Sequence, residues 1–117
     1  MDGTSTDRAV DLDSGVLLVL TTTPDVDVAR SLAEGVVEQK LAACCTILPK
    51  GESVYRWEEK VVRESEVILL LKTTAQRYAA LESYLVDHHP YDVPEVLVFE
   101  AAGGLPSYLG WVAARLQ

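Results

Sequence analysis

The chain has 117 residues, a net charge of −8 and 49% apolar residues, which sets it at one domain with enough apolar material for a core. Ten basic residues scattered singly give no basic face, so nucleic acid is excluded as a partner, and no apolar run approaches the ~20 residues that span a membrane. Two cysteines exclude a disulfide scaffold and fit a reducing compartment.

The N-terminus, MDGTSTDRAVDLDSG, lacks a basic segment followed by an apolar one, so no signal peptide is expected. It reads as a flexible acidic tail over residues 1–14, ahead of a single domain at 15–117. Four aspartates against Arg8 give that tail −3 and leave −5 on the domain. The cytoplasm is the expected location.

Val16 to Leu20 is a continuous apolar run and predicts a strand buried on both faces. Thr23-Pro24 then predicts a helix start, with Thr23 as N-cap and Pro24 at the first helical position. Ala29, Leu32, Ala33, Val36 and Val37 form one apolar helical stripe. Lys40 sits near the helix end, where positive charge is favoured. Gly35 inside this helix costs about 1 kcal/mol against alanine, a cost that close packing explains.

Ala42 to Leu48 predicts a second strand, interrupted at Pro49-Lys50-Gly51 as by a bulge and resumed by Val54, Tyr55 and Trp57. Glu58-Glu59 is the turn, and Lys60 to Thr73 the returning strand, with the solid run Val67–Leu71. Thr73-x-x-Gln76 matches a capping box and predicts a second helix with Tyr78, Leu81, Tyr84 and Leu85 on its apolar stripe. His88-His89-Pro90 ends it. Val96 to Phe99 predicts a fourth strand, Gly103-Gly104 a break, and Leu105-Pro106-Ser107 a short third helix carrying Leu109, Val112, Ala113 and Leu116.

This order gives an α+β fold, a ferredoxin-like βαββαβ with a C-terminal helix and an antiparallel sheet. Right-handed crossovers put both main helices on one sheet face. The other face would be polar in a monomer. Its strands carry solid apolar runs instead, so neighbouring copies are expected to cover it.

Cys44, Cys45, Asp87, His88 and His89 are the candidate soft or borderline metal ligands. Their spacing lacks the four-ligand pattern of a structural zinc site. Cys45 reads as a small core residue and His88 as a helix-end cap. Cys44 and His89 are the pair that can meet across a subunit boundary, where thiolate and imidazole would suit copper or zinc. No third group marks a thiol enzyme, and no phosphate-binding or nucleophile motif is present, so no catalytic residue is expected. Tyr55 and Trp57 share one strand face, with Arg56 on the other. They suit an interface or a ligand-stacking surface. Lys72 ends a buried strand and emerges into solvent or a cleft beside Glu95 or His89. The stiff loop His89-Pro-Tyr91-Asp-Val-Pro-Glu95 is a connector or a pocket wall.

Taken together, Leu41-Ala-Ala-Cys44, Tyr55-x-Trp57, Lys72-Thr73, His89-Pro-Tyr-x-Val-Pro-Glu95 and Leu105-Pro-x-Tyr-Leu109 resemble the CutA family, the divalent-cation tolerance proteins. The likeness runs from about Val16 to Trp111. It implies a homotrimer like that of the PII signalling proteins, with hairpins exchanging contacts and clefts at the subunit boundaries. It also implies a non-enzymatic role in the response to divalent metal ions, copper among them. By motif match the family's cysteine falls on Cys44, its aromatic pair on Tyr55 and Trp57, and its cleft lysine and histidine on Lys72 and His89. Tyr91 and Glu95 belong to the same cleft set. The alternative reading is a PII-like module binding an anionic metabolite in those clefts through Lys72, Arg56 and the Tyr91 loop. Two positions depart from the family. Glu59 stands where glycine is common, so a different turn type is expected. Thr46 stands where asparagine is common.

Overall fold

The structure, a computed structural model, describes residues 14–117. The expected tail lies outside the described residues except for Ser14. Ser14 is tied into the domain, its hydroxyl donating to the Ala101 carbonyl at 2.6 Å and accepting from the Val16 amide.

Chain order is β1 (Val16–Thr23), α1 (Val26–Glu38), β2 (Cys44–Trp57), β3 (Lys60–Thr74), α2 (Ala75–His88), β4 (Val96–Glu100) and α3 (Pro106–Arg115). The sheet order is β2-β3-β1-β4, and every pair is antiparallel. This is the ferredoxin-like arrangement with a terminal helix, as the sequence predicts.

The helices sit where the crossover rule puts them. Leu32 and Val36 of α1, and Leu81 and Leu85 of α2, pack with Val19, Leu69 and Leu71 in one core. Along β3 the apolar run is resolved by strand alternation. Val67, Leu69 and Leu71 are buried, while Ile68 and Leu70 between them are only partly so. The second face therefore carries Leu18, Leu20, Ile68 and Leu70, with Leu48, Leu97 and Phe99 each between 43% and 49% exposed. Helix α3 covers only one corner of it, where Val112 and Leu116 close on Val16 and Ala43. Ala113, expected on that helix's apolar side, is exposed.

Helix ends differ from expectation in detail. Asp25, not Thr23, caps α1, its carboxylate accepting from the Val28 amide at 2.8 Å. Pro24 thus precedes the helix. Thr23 is buried and spends its hydroxyl on the Asp25 and Val67 carbonyls. The helix closes in a Schellman motif. Lys40 takes φ of 59°, and the amides of Lys40 and Leu41 reach the carbonyls of Val37 and Val36. The capping box at Thr73 does not form. Thr73 lies inside β3, donates to the Leu41 carbonyl and is buried, and Thr74 caps α2 without a side-chain bond. Gly35 meets its predicted purpose: a Cβ there would overlap the Tyr84 hydroxyl of α2.

The β2–β3 hairpin is the long element, and the described chain measures 54 × 34 × 22 Å along its principal axes. The register shifts between Leu48 and Gly51, the bulge predicted at Pro49-Lys50-Gly51. Lys50 there has φ of 67°, and a Cβ on Gly51 would stand 2.8 Å from the Glu66 carbonyl oxygen. At the tip, Glu58 and Glu59 both have positive φ, 47° and 69°. A two-residue loop with both residues left-handed is the type I′ pattern that matches strand twist. Glutamate thus fills both left-handed positions of this turn, conformations that glycine would adopt without strain.

Candidate functional site

Two separate groupings hold the residues singled out from sequence. The first is a cleft of about 1040 Å³ between one face of the hairpin arm and the loop before β4. Ser53, Tyr55, Trp57, Val62, Glu64 and Glu66 come from the arm, and Tyr91, Val93 and Glu95 from the loop. Four of the five residues assigned to a cleft (Tyr55, Trp57, Tyr91 and Glu95) therefore do meet. Ser53 donates to Glu66 at 2.5 Å, Tyr55 donates to Glu64, and Tyr91 donates to Glu66 at 3.4 Å. Burial first, then the negative charge of Glu66 and Glu64, raises the Tyr91 phenol above its ordinary range. Glu64 and Glu66 were not singled out from sequence. Their signal was available: in an alternating strand they share a face with Val62, opposite Tyr55.

His89 builds this cleft from behind. It is 8% exposed. Its Nε2 stands 2.7 Å from the Thr22 carbonyl, which can only accept, so Nε2 carries the proton. Nδ1 then accepts from the Tyr91 amide at 3.1 Å. The two rings lie 4.8 Å apart. Both imidazole nitrogens are thus spent on holding the loop, and neither is free for a metal.

The second grouping lies on the open sheet face near α3. Cys44 pairs with Lys72 across β2 and β3. Lys72 donates to the Thr46 hydroxyl at 2.6 Å, and the Cys44 sulfur stands 3.7 Å from the Tyr108 hydroxyl. Burial first, then the hydrogen bond with Cys44, raises the Tyr108 phenol. Lys72 is therefore not in the cleft. His89 is bonded to Thr22, whose β3 partner is Ile68, and Lys72 lies four residues further along, about 13 Å at ~3.3 Å per residue. Within one chain, Cys44 and Lys72 meet, and His89 joins neither.

Cys45 points the other way, packing at the edge of the main core, as alternation requires. Burial pushes its thiol up to about 11, against the opposing pull of Lys72. Both cysteines are free. His88 stacks on Tyr84 at 3.9 Å and bonds its carbonyl at 2.9 Å, so it does close the end of α2. Among the described residues no three His, Cys, Asp or Glu side chains converge as a cation site. The same residues include no helix long and apolar enough to cross a membrane.

A ferredoxin-like domain with a long bulged hairpin, an acidic aromatic cleft and a thiol–lysine corner defines the class. The chain belongs to the CutA1 divalent ion tolerance protein family, whose profile matches residues 17–115. A divalent-cation tolerance protein CutA of Citrobacter koseri is 46% identical over 101 residues, which are 86% of this chain and 88% of that protein. Solved structures agree. CutA of Xylella fastidiosa superposes with a TM-score of 0.85 at 37% identity, covering 88% of this chain and 99% of its own. CutA of Synechococcus elongatus PCC7942 reaches 0.87 at 34% identity, covering 97% and 100%.

Proposed function

We propose that this chain is a non-enzymatic, cytoplasmic divalent-cation tolerance protein that works as a homotrimer and contacts copper through Cys44 at a subunit boundary. Family membership supports the role in tolerance. The observation that carries the assembly is the uncovered sheet face, where Leu18, Leu20, Leu48, Ile68, Leu70, Leu97 and Phe99 lie together outside the α1–α2 layer. An apolar surface of this kind marks an interface. The two sheet edges, β2 and β4, are unlike, so a head-to-tail contact closing into a ring suits them.

The donor chemistry bears on the metal. Cys44 offers one soft sulfur beside Tyr108 and Lys72, which suits copper better than magnesium or calcium. One thiolate is an incomplete donor set, and His89 would have to give up a bond to the loop to help. Completion therefore falls to another copy. An anionic metabolite is disfavoured, because Glu64, Glu66 and Glu95 line the cleft while Lys72 and Arg56 do not.

Light scattering checks the assembly, with three chain masses expected and one chain mass decisive against it. Calorimetry with copper checks the metal. Cys44→Ser is expected to abolish binding, and unchanged affinity in that variant refutes the assignment.

A further inference from the structure

Six side chains give the cleft its chemistry, and all of them are aromatic or acidic. Tyr55 and Trp57 of β2 and Tyr91 of the loop supply three rings, and Glu64, Glu66 and Glu95 supply three carboxylates. No lysine or arginine lines it. Lys60, the register partner of Trp57, is the only cation that strand alternation puts on this side of the arm, and it stands at the tip.

The walls are set by bonds within the chain. Hydroxyl groups, which carry no charge, hold the carboxylates: Tyr55 donates to Glu64, and Ser53 and Tyr91 donate to Glu66. These donors fix position without cancelling charge, and a carboxylate accepts more hydrogen bonds than they use. His89 fixes the loop wall in turn, through the Thr22 carbonyl and the Tyr91 amide. Tyr91 registers the resulting field, since burial first and then the charges of Glu66, Glu64 and Asp25 raise its phenol.

Size and spacing select the kind of cation. Glu64 and Glu66 stand two residues apart on one strand face, about 7 Å along it. Oxygens that share one calcium or magnesium ion lie within about 5 Å of each other. Among the described residues no three acidic, histidine or cysteine side chains converge on a point. A bare metal ion is a poor fit, and a cleft of about 1040 Å³ is on the scale of an organic molecule instead. Ammonium groups set a short alkyl chain apart match carboxylates spaced in this way. The same cations are attracted to the faces of tyrosine and tryptophan rings.

We infer that the cleft binds an organic polycation of the linear polyamine class, with its ammonium groups on Glu64, Glu66 and Glu95 and its alkyl chain against Tyr55, Trp57 and Tyr91. This is a second site, independent of the metal reading, which rests on Cys44 at the opposite end of β2. An anion or an uncharged molecule would cover these carboxylates without matching their charge, at a cost in desolvation.

Spermidine is the probe, titrated by calorimetry into the full-length protein, with far-UV circular dichroism on every variant. Wild type is expected to bind it saturably, one molecule per chain, and more weakly at higher salt. Glu64→Gln/Glu66→Gln should raise the Kd about tenfold or more, because charge-assisted hydrogen bonds are lost. Trp57 is 63% exposed, so Trp57→Ala should keep the fold and every carboxylate yet raise the Kd about threefold or more. If the double variant fails to fold, Glu95→Gln replaces it, with a rise of about threefold or more expected. Magnesium chloride should displace no more probe than sodium chloride of the same ionic strength. Three results would each overturn the inference: no saturable binding by wild type, a Kd unmoved by either kind of variant, and preferential displacement by magnesium. The last would reduce the cleft to a diffuse acidic surface.

Discussion

Thr21 is fully buried, and its hydroxyl is the one buried side-chain polar atom without a partner among the described residues. Its cross-strand neighbours are Leu69 and Val96, both apolar. Valine has nearly the same shape without the unpaired group, so Thr21→Val should stabilise the fold by about 1 kcal/mol, read by urea unfolding. Glu58 and Glu59 make a second residue-scale case. Each holds a left-handed φ that costs a side-chain-bearing residue on the order of 1 kcal/mol. Glu59→Gly should raise the unfolding midpoint, and a lowered midpoint would show that the glutamate makes compensating contacts. Cys45 supplies the pH dependence. Its folded pKa of about 11 lies above the ordinary thiol value of 9.0, so the native state holds the proton more tightly. That contribution is complete below pH 9 and declines as pH rises from 9 through 11. Alkylation of Cys44→Ser protein should accordingly be slow at pH 8 and fast once the chain is unfolded. Of these three features only the last was half legible in sequence. Alternation put Cys45 inward, but the partners of Thr21 and the sign of φ at Glu59 depend on strands that meet only in the fold.

At the scale of elements, the two helices are held together where the sequence looked weakest. Gly35 opens a notch in α1 that receives the Tyr84 ring. Gly35→Ala should lose about 1–3 kcal/mol through overpacking, and replacing Tyr84 by leucine in the same chain should recover part of it. Recovery of nothing would place the cost in helix geometry instead. Element type and order were readable throughout, because the period-3.6 stripes and the apolar strand runs are strong local signals. The caps were not. Thr23 and Thr73 both matched cap patterns, yet both are buried strand residues whose hydroxyls serve carbonyls across the fold. A hydroxyl near a helix start takes whichever acceptor the tertiary structure brings closest, and local sequence does not state which that is.

For the molecule as a whole, the decisive feature is the uncovered sheet face. Phe99→Glu should lower the mass measured by light scattering without unfolding the chain, since Phe99 is 49% exposed within one copy. Its retention at wild-type mass would remove β4 from the contact. The sequence by itself determined the order of elements, the bulge, the opposite facing of neighbouring strand residues such as Cys44 and Cys45, and an excess of apolar residues on the sheet beyond what one layer of helices covers. All of these follow from residue periods and from the handedness of crossovers, which are local rules. Tertiary structure alone decided which candidates share a site. It gathered Tyr55, Trp57, Tyr91 and Glu95 with the overlooked Glu64 and Glu66, and it set Cys44 and Lys72 apart from His89. It also spent both nitrogens of His89 on a loop. The physical reason is register. Sliding one strand against another changes which distant residues face each other while leaving every local pattern intact, and the register here is fixed by the bulge and the type I′ turn together.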